Sequence, residues 1–449
     1  MSITTFQACL LWGTGLLLII LIISDYLRRK SDLLNIRNIM LGGFIVYQIL
    51  SPANTLFSQR AEKFRIYDMA DAGWQYLILM YPFLFCMLIA YKYGWGVKKL
   101  AHRFPVYRGD MTEQTLLFAA VLGTVGAILI RLIPPVPGII HASFFISTGL
   151  ATASTGLITW WWMRRSLNVN RLVVVLMVTF ANLVIVTSGS FSRRPIIAIT
   201  LMFTWAVYYA NVRYQHNRTK VLTMVLSALL PLVILGSLFT SARNQSIRED
   251  SGLDIVKMMF VEGNISEGLE DMLGGQLVGE GSLWCVENFP EHLQQDHLLS
   301  LRYYFLANIP RSLWPGKPYV LSTRVADLAD IEGVRQDRSR GGTGVTLPPG
   351  VVGYIAAEGG IYAALIYGLV IGLIARFLDE LIVCNAHRVL IIIPIAASLG
   401  NMLGLLRGDL AMFSISATWS MVASYLFIFT FTFFFGQSTE QTQPVPALR

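Results

Sequence analysis

Five cations and two acids stand out in a chain that is otherwise strongly apolar. They are Arg193, Arg194, Arg311, Lys317 and Arg407, with Glu358 and Asp409. Arg311 and Lys317 fall in NIPRSLWPGKPYV, residues 308–320, among three prolines and an indole; Arg193 and Arg194 fall in GSFSRRPII, and Arg407 and Asp409 in LLRGDL. A guanidinium group matches phosphate oxygens through two parallel hydrogen bonds, so several arginines at one depth suit a pocket for a lipid-linked phosphate or pyrophosphate. Pro310 and Pro315 fix the backbone direction, and Trp314 suits a membrane interface, so Arg311 and Lys317 are expected to be offered at headgroup depth. Each arginine taken singly also fits snorkelling to the headgroups, the simpler reading for Arg131 and Arg243. Glu358, in GYIAAEGGIY, and Asp409 are carboxylates in apolar surroundings and need a partner or a task. Either is a candidate general base for a sugar hydroxyl, or a charge partner for an arginine.

Other chemistries lack their signatures. There is no D-x-D metal or sugar-nucleotide pattern, no phosphate-cradling G-x-x-x-x-G-K-[ST] and no G-x-S-x-G. His292 and His297 stand five apart on a hydrophilic stretch, and the cysteines Cys9, Cys86, Cys285 and Cys384 are scattered. The expectation is therefore no metal at the site, no cofactor and no nucleic-acid partner.

The elements that must hold these residues follow from composition. The chain has 449 residues, 54% hydrophobic and 14% charged, with a mean hydropathy of +0.57. That is far from a soluble domain and implies an all-α polytopic membrane protein. A span needs roughly 17 to 25 apolar residues. About eleven such windows are expected, at 7–25, 39–57, 74–92, 114–133, 138–160, 172–188, 195–211, 221–241, 351–375, 389–406 and 411–435. The first has no small-residue cleavage site after it and reads as a retained helix. DYLRRK, KYGWGVKKLAHRFPVYR, MRRSLNVNR and VRYQHNRTK fall on one side if the helices alternate, and cation-rich short loops mark the cytoplasm. SQRAEKFR, residues 58–65, is the exception.

Four regions result: a bundle of about eight helices over 1–241, a large extracytoplasmic loop with short helices over 242–346, a bundle of about three helices over 347–435, and a cytoplasmic tail over 436–449. The loop is net acidic, with ten Lys and Arg against fifteen Asp and Glu, yet seven of its ten cations lie between Arg302 and Arg340. A long segment of this kind inside a compact protein is usually functional.

IPRSLWPGKP with the Gly/Pro-rich stretch after it, AAEGGIYAALIYGLVIG, GSFSRRPIIAI and LLRGDL resemble motifs of the Wzy-type polymerases of oligosaccharide repeat units, the family of O-antigen, common-antigen and capsule assembly. The likeness covers the architecture along the whole chain, with the specific motifs confined to about 189–197, 307–318 and 350–409. It implies an inverting glycosyltransferase of GT-C-like fold in a bacterial inner membrane, with its site facing the periplasm or exterior. Its implied partners are polyprenyl-pyrophosphate-linked glycans, the bilayer and a chain-length regulator. Arg193 or Arg194, Arg311 and Arg407 match arginines of that pattern. A ligase that hands the glycan to another acceptor shares this chemistry, whereas a flippase or exporter is a different class, commonly built from repeated halves. The halves of this chain differ.

Overall fold

A computed structural model describes residues 2–61, 63–107, 109–132, 140–164, 168–187, 194–215, 217–245, 257–259, 261–273, 277–309, 313–329, 347 and 349–438. Backbone polar groups within a bilayer must be satisfied inside their own segment, and the long apolar runs accordingly fold as helices. In chain order these are α1 (Ile3–Leu27), α2 (Ile36–Ser58), α3 (Met69–Tyr93), α4 (Trp95–Arg103), α5 (Glu113–Leu132), α6 (Ile140–Met163), α7 (Val169–Thr187), α8 (Arg194–Ala210) and α9 (Arg218–Gln245). Then follow α10 (Ile265–Leu273), α11 (Val278–Asn288), α12 (Leu299–Leu306), α13 (Leu321–Leu328), α14 (Gly350–Ala357), α15 (Ile361–Cys384), α16 (Val389–Arg407) and α17 (Leu410–Phe435). Among the described residues, nine helices are long and apolar enough to cross a membrane: α1, α2, α3, α5, α7, α8, α15, α16 and α17. Helices α6 and α9 stand at two further expected positions. The chain is an all-α, multi-pass membrane protein. Leu16, Leu17, Phe85, Met177, Leu369 and Leu426 are exposed apolar side chains on long helices, as lipid-facing positions should be.

The expected span at 351–375 is displaced. The helix breaks at Glu358–Gly360, where Gly359 has φ 134° and Gly360 φ 60°, conformations open to glycine at little cost. Residues 350–357 form a separate short helix, and the spanning helix runs from Ile361 to Cys384. Glu358 consequently sits in the break, outside the span.

Helix ends gather on two faces. Gln59, past the end of α2, donates to Ser2 Oγ and Thr4 Oγ1 at the start of α1, at 3.1 and 2.7 Å. Glu280 and Glu287 of α11 accept backbone N–H groups from residues 63–68 on this same face. The opposite face carries the basic short loops, and acids meet many of their cations: Arg37–Asp25 at 2.8 Å, Arg213–Asp32 at 2.9 Å, Arg171–Glu113 and Arg164–Asp110 at 3.0 Å. Asp379, buried in α15, accepts from the N–H groups of Ile36 and Arg37 at 2.6 and 3.2 Å and so caps α2 from a distance. A two-residue ladder, Gly109–Asp110 with Gln437–Ser438, closes this face.

α3 and α15 lie backbone to backbone. A Cβ on Gly368 would stand 2.4 Å from Phe83 O, and one on Gly372 2.3 Å from Met87 O, so the i, i+4 glycines set this approach as small residues do in membrane helix pairs. The register fixes the break at Glu358 beside the loop face.

Candidate functional site

Each of the two acids fastens one helix of the 242–346 segment. Glu358 follows α14 and is only 2% exposed. Its Oε2 accepts from Ser300 N at 2.9 Å and from the Tyr367 hydroxyl, and its Oε1 pairs with the Ser300 hydroxyl at 2.7 Å. The backbone docks too: Asp296 N donates to Ala357 O and Leu298 N to Glu358 O, both at 2.9 Å. Burial pushes the Glu358 carboxyl up to about 7, against the downward pull of its Tyr367 and Ser300 hydrogen bonds. A protonated Glu358 keeps the same partners by donating from Oε1 to Ser300 Oγ.

Asp409 caps α17 from the left-handed region, at φ 67°. Its Oδ1 accepts from Met412 N at 3.1 Å and its Oδ2 from Ser322 Oγ at 2.8 Å. Ser322 N in turn donates to the Tyr354 hydroxyl oxygen at 3.0 Å. Ser322 thus joins Asp409 to Tyr354, which lies one turn before Glu358 on α14. Burial first, and the Asp409 charge second, raise the Tyr354 phenol well above its ordinary range. It stays neutral.

α17 holds residues at both ends of the 308–320 stretch. Tyr304 and Thr418 share a hydrogen bond of 2.9 Å, Trp419 Nε1 donates to Asn308 Oδ1 at 3.4 Å, and Ser322 holds Asp409 at the far end. From Asp409 to Trp419 is about 15 Å of helix at 1.5 Å per residue. Arg407, half-buried, ends α16 two residues before Asp409. The carbonyl before it, Leu406 O, accepts from Gln48 Nε2 at 2.5 Å. Gln48 lies in a π-helical turn of α2 and also engages the Tyr76 hydroxyl, at 3.1 Å to its Oε1.

Lys317 is placed differently from the expectation. It is 6% exposed, its ammonium donates to Ala307 O at 2.7 Å and Ile309 O at 2.9 Å, and it lies over the Tyr303 ring at 5.0 Å. The cation turns inward to hold carbonyls past the end of α12, which need donors, and is not offered outward to a headgroup. Arg131 is likewise held within the bundle by Ser147 Oγ at 3.2 Å, Thr148 Oγ1 at 3.4 Å and the Phe144 ring at 4.0 Å. Arg193 and Arg311 lie outside the described residues, as do the side chains of Arg194 and Arg243.

Thus Glu358 and Asp409 are tied to the two loop helices, α12 and α13, that flank residues 308–320, with Arg407 two residues before Asp409, while Lys317 holds the carbonyls of Ala307 and Ile309. Sequence reasoning missed Ser300, Ser322, Tyr354, Tyr367 and Gln48. Gln48 alone carried a signal, as a lone amide within the apolar run IVYQIL.

No family model, curated protein or solved structure matches this chain.

Proposed function

We propose that this chain is a glycosyltransferase that polymerises polyprenyl-pyrophosphate-linked oligosaccharide repeat units into a surface polysaccharide at the outer face of a bacterial plasma membrane. The observation that supports the reading is the pair of bonds on α17: Asp409 holds Ser322 and Trp419 holds Asn308, the residues that flank the 309–320 stretch, and Arg407 stands two residues before Asp409. Such a setting suits a lipid pyrophosphate, because the headgroup depth of an apolar bundle is where its charge and its polyprenyl chain are both accommodated.

In the reaction the bond from the donor sugar's anomeric carbon to the pyrophosphate oxygen breaks, and the lipid pyrophosphate leaves with the electron pair. An acceptor hydroxyl on a second lipid-linked unit forms the new glycosidic bond and gives up its proton. Preorganised guanidinium groups at the leaving oxygens lower the barrier, with Arg407 as the described member and Arg193 or Arg194 and Arg311 as its partners by motif. The surroundings of Glu358 and Asp409 favour positioning over proton abstraction, since both are nearly buried and committed to serines of the loop helices. The reading is tested by sizing the surface glycan of cells that lack the chain, where a single repeat unit is expected in place of a polymer.

A further inference from the structure

We propose that His102, Glu380 and Cys384 form a binding site for a divalent transition metal of the zinc class, on the face that carries the basic short loops. Glu380 and Cys384 are one turn apart at the end of α15, which puts both side chains on the same helix surface. His102 comes from the last turn of α4. Its Nε2 stands 3.1 Å from Glu380 Oε2, and one ligand atom from each of the three residues lies within 4.8 Å of the others. Imidazole, carboxylate and thiolate are the donors that zinc accepts, at about 2.0 to 2.3 Å. A tetrahedral site of that size needs its ligand atoms about 3.5 Å apart. The His102–Glu380 pair already meets this, and rotation of exposed side chains brings in the rest.

The second carboxylate oxygen explains why Glu380 is ready for this task. Glu380 Oε1 takes Arg376 Nη2 at 2.5 Å and Lys98 Nζ at 3.8 Å. Oε2 therefore points to His102, as an outer partner orients a ligating carboxylate. Glu380 is buried whereas His102 and Cys384 are exposed, so ion and water have access, and water fills the fourth position. The metal would tie amphipathic α4 to the end of α15. Because the thiol must lose its proton to bind, affinity rises with pH. The inference is independent of the glycan reading.

The experiment uses the full chain in detergent with Cys9, the other exposed cysteine, changed by Cys9→Ser. Titration with Co²⁺ is expected to give a thiolate-to-cobalt charge-transfer band that Zn²⁺ displaces. Cys384→Ser removes the band, and His102→Ala weakens binding by about tenfold or more. Zn²⁺ slows maleimide labelling of Cys384. No band at millimolar Co²⁺, a band that survives Cys384→Ser, or Cys384 labelling indifferent to Zn²⁺ would each overturn the site.

Discussion

Ser322 Oγ donates to Asp409 Oδ2 at 2.8 Å across 87 residues of sequence, and this bond seats the first turn of α13 on the cap of α17. Asp409 carries a second duty there, capping Met412 N from a left-handed backbone. Asn adopts that backbone and caps as well as Asp, whereas Ala does neither. Asp409→Asn is expected to keep its melting temperature and most of its elongation. Asp409→Ala should lose about 2 kcal/mol, roughly half from the cap and half from left-handed strain. Thermal unfolding in detergent checks this, and equal melting temperatures for the two variants would contradict it.

Glu358 makes stability depend on pH. Its folded carboxyl is raised from the ordinary 4.5 to about 7, so the protonated form belongs to the folded chain. Its contribution is fully present below about pH 4.5 and is lost as pH rises to about 7. Gln copies the protonated acid, donating to Ser300 Oγ and accepting from Ser300 N. The stability of Glu358→Gln relative to the parent should therefore rise between pH 4.5 and 7, by an amount on the order of 3 kcal/mol, and stay level above. A difference that does not change with pH would refute the assignment. As a positioning variant, Glu358→Gln also retains elongation, and a general base would not.

Lys317 is the brace of the 308–320 stretch. Removing its ammonium takes the donor from Ala307 O and Ile309 O, at about 0.5 to 1.5 kcal/mol for each part-buried hydrogen bond lost. Lys317→Ala should make residues 308–320 markedly more susceptible to limited proteolysis while the bundle stays intact. Proteolysis at the parental rate would show that the brace carries no weight.

Orientation is tested by chemistry at two exposed positions. Gly96 of α4 and Ser266 of α10 are both open to solvent on short helices. In a cysteine-free background, Ser266→Cys should react with an impermeant thiol reagent when the outer barrier is permeable, and Gly96→Cys should not. Labelling of Gly96→Cys would invert the orientation and move the site to the other side.

Most of the architecture was legible, because twenty apolar residues in a row admit only one structure in a bilayer. The break at Glu358–Gly360 escaped, since two glycines inside an apolar run look like helix packing until the positive φ values are seen. Lys317 misled for a related reason. Proline and tryptophan neighbours signal an interface, yet the direction of a lysine depends on carbonyls that only the folded turn brings within reach. The partners of the acids were invisible because a serine such as Ser300 or Ser322 carries no pattern until the loop is docked. Arg407, by contrast, stood out in the sequence and ends α16 two residues before Asp409.

We propose that the chain lengthens lipid-linked glycans with Arg407 at the pyrophosphate. The most direct measurement is the size distribution of surface glycan, by gel electrophoresis, in cells lacking the chain and then supplied with the parent, Arg407→Lys or Arg407→Ala at matched protein levels. A single attached repeat unit is expected without the chain, a full ladder with the parent, and failure of both variants, because an ammonium cannot reproduce a guanidinium fork. A normal ladder in the absence of the chain, or with Arg407→Ala, would contradict it, as would complete loss of attached glycan, the mark of a ligase or a flippase.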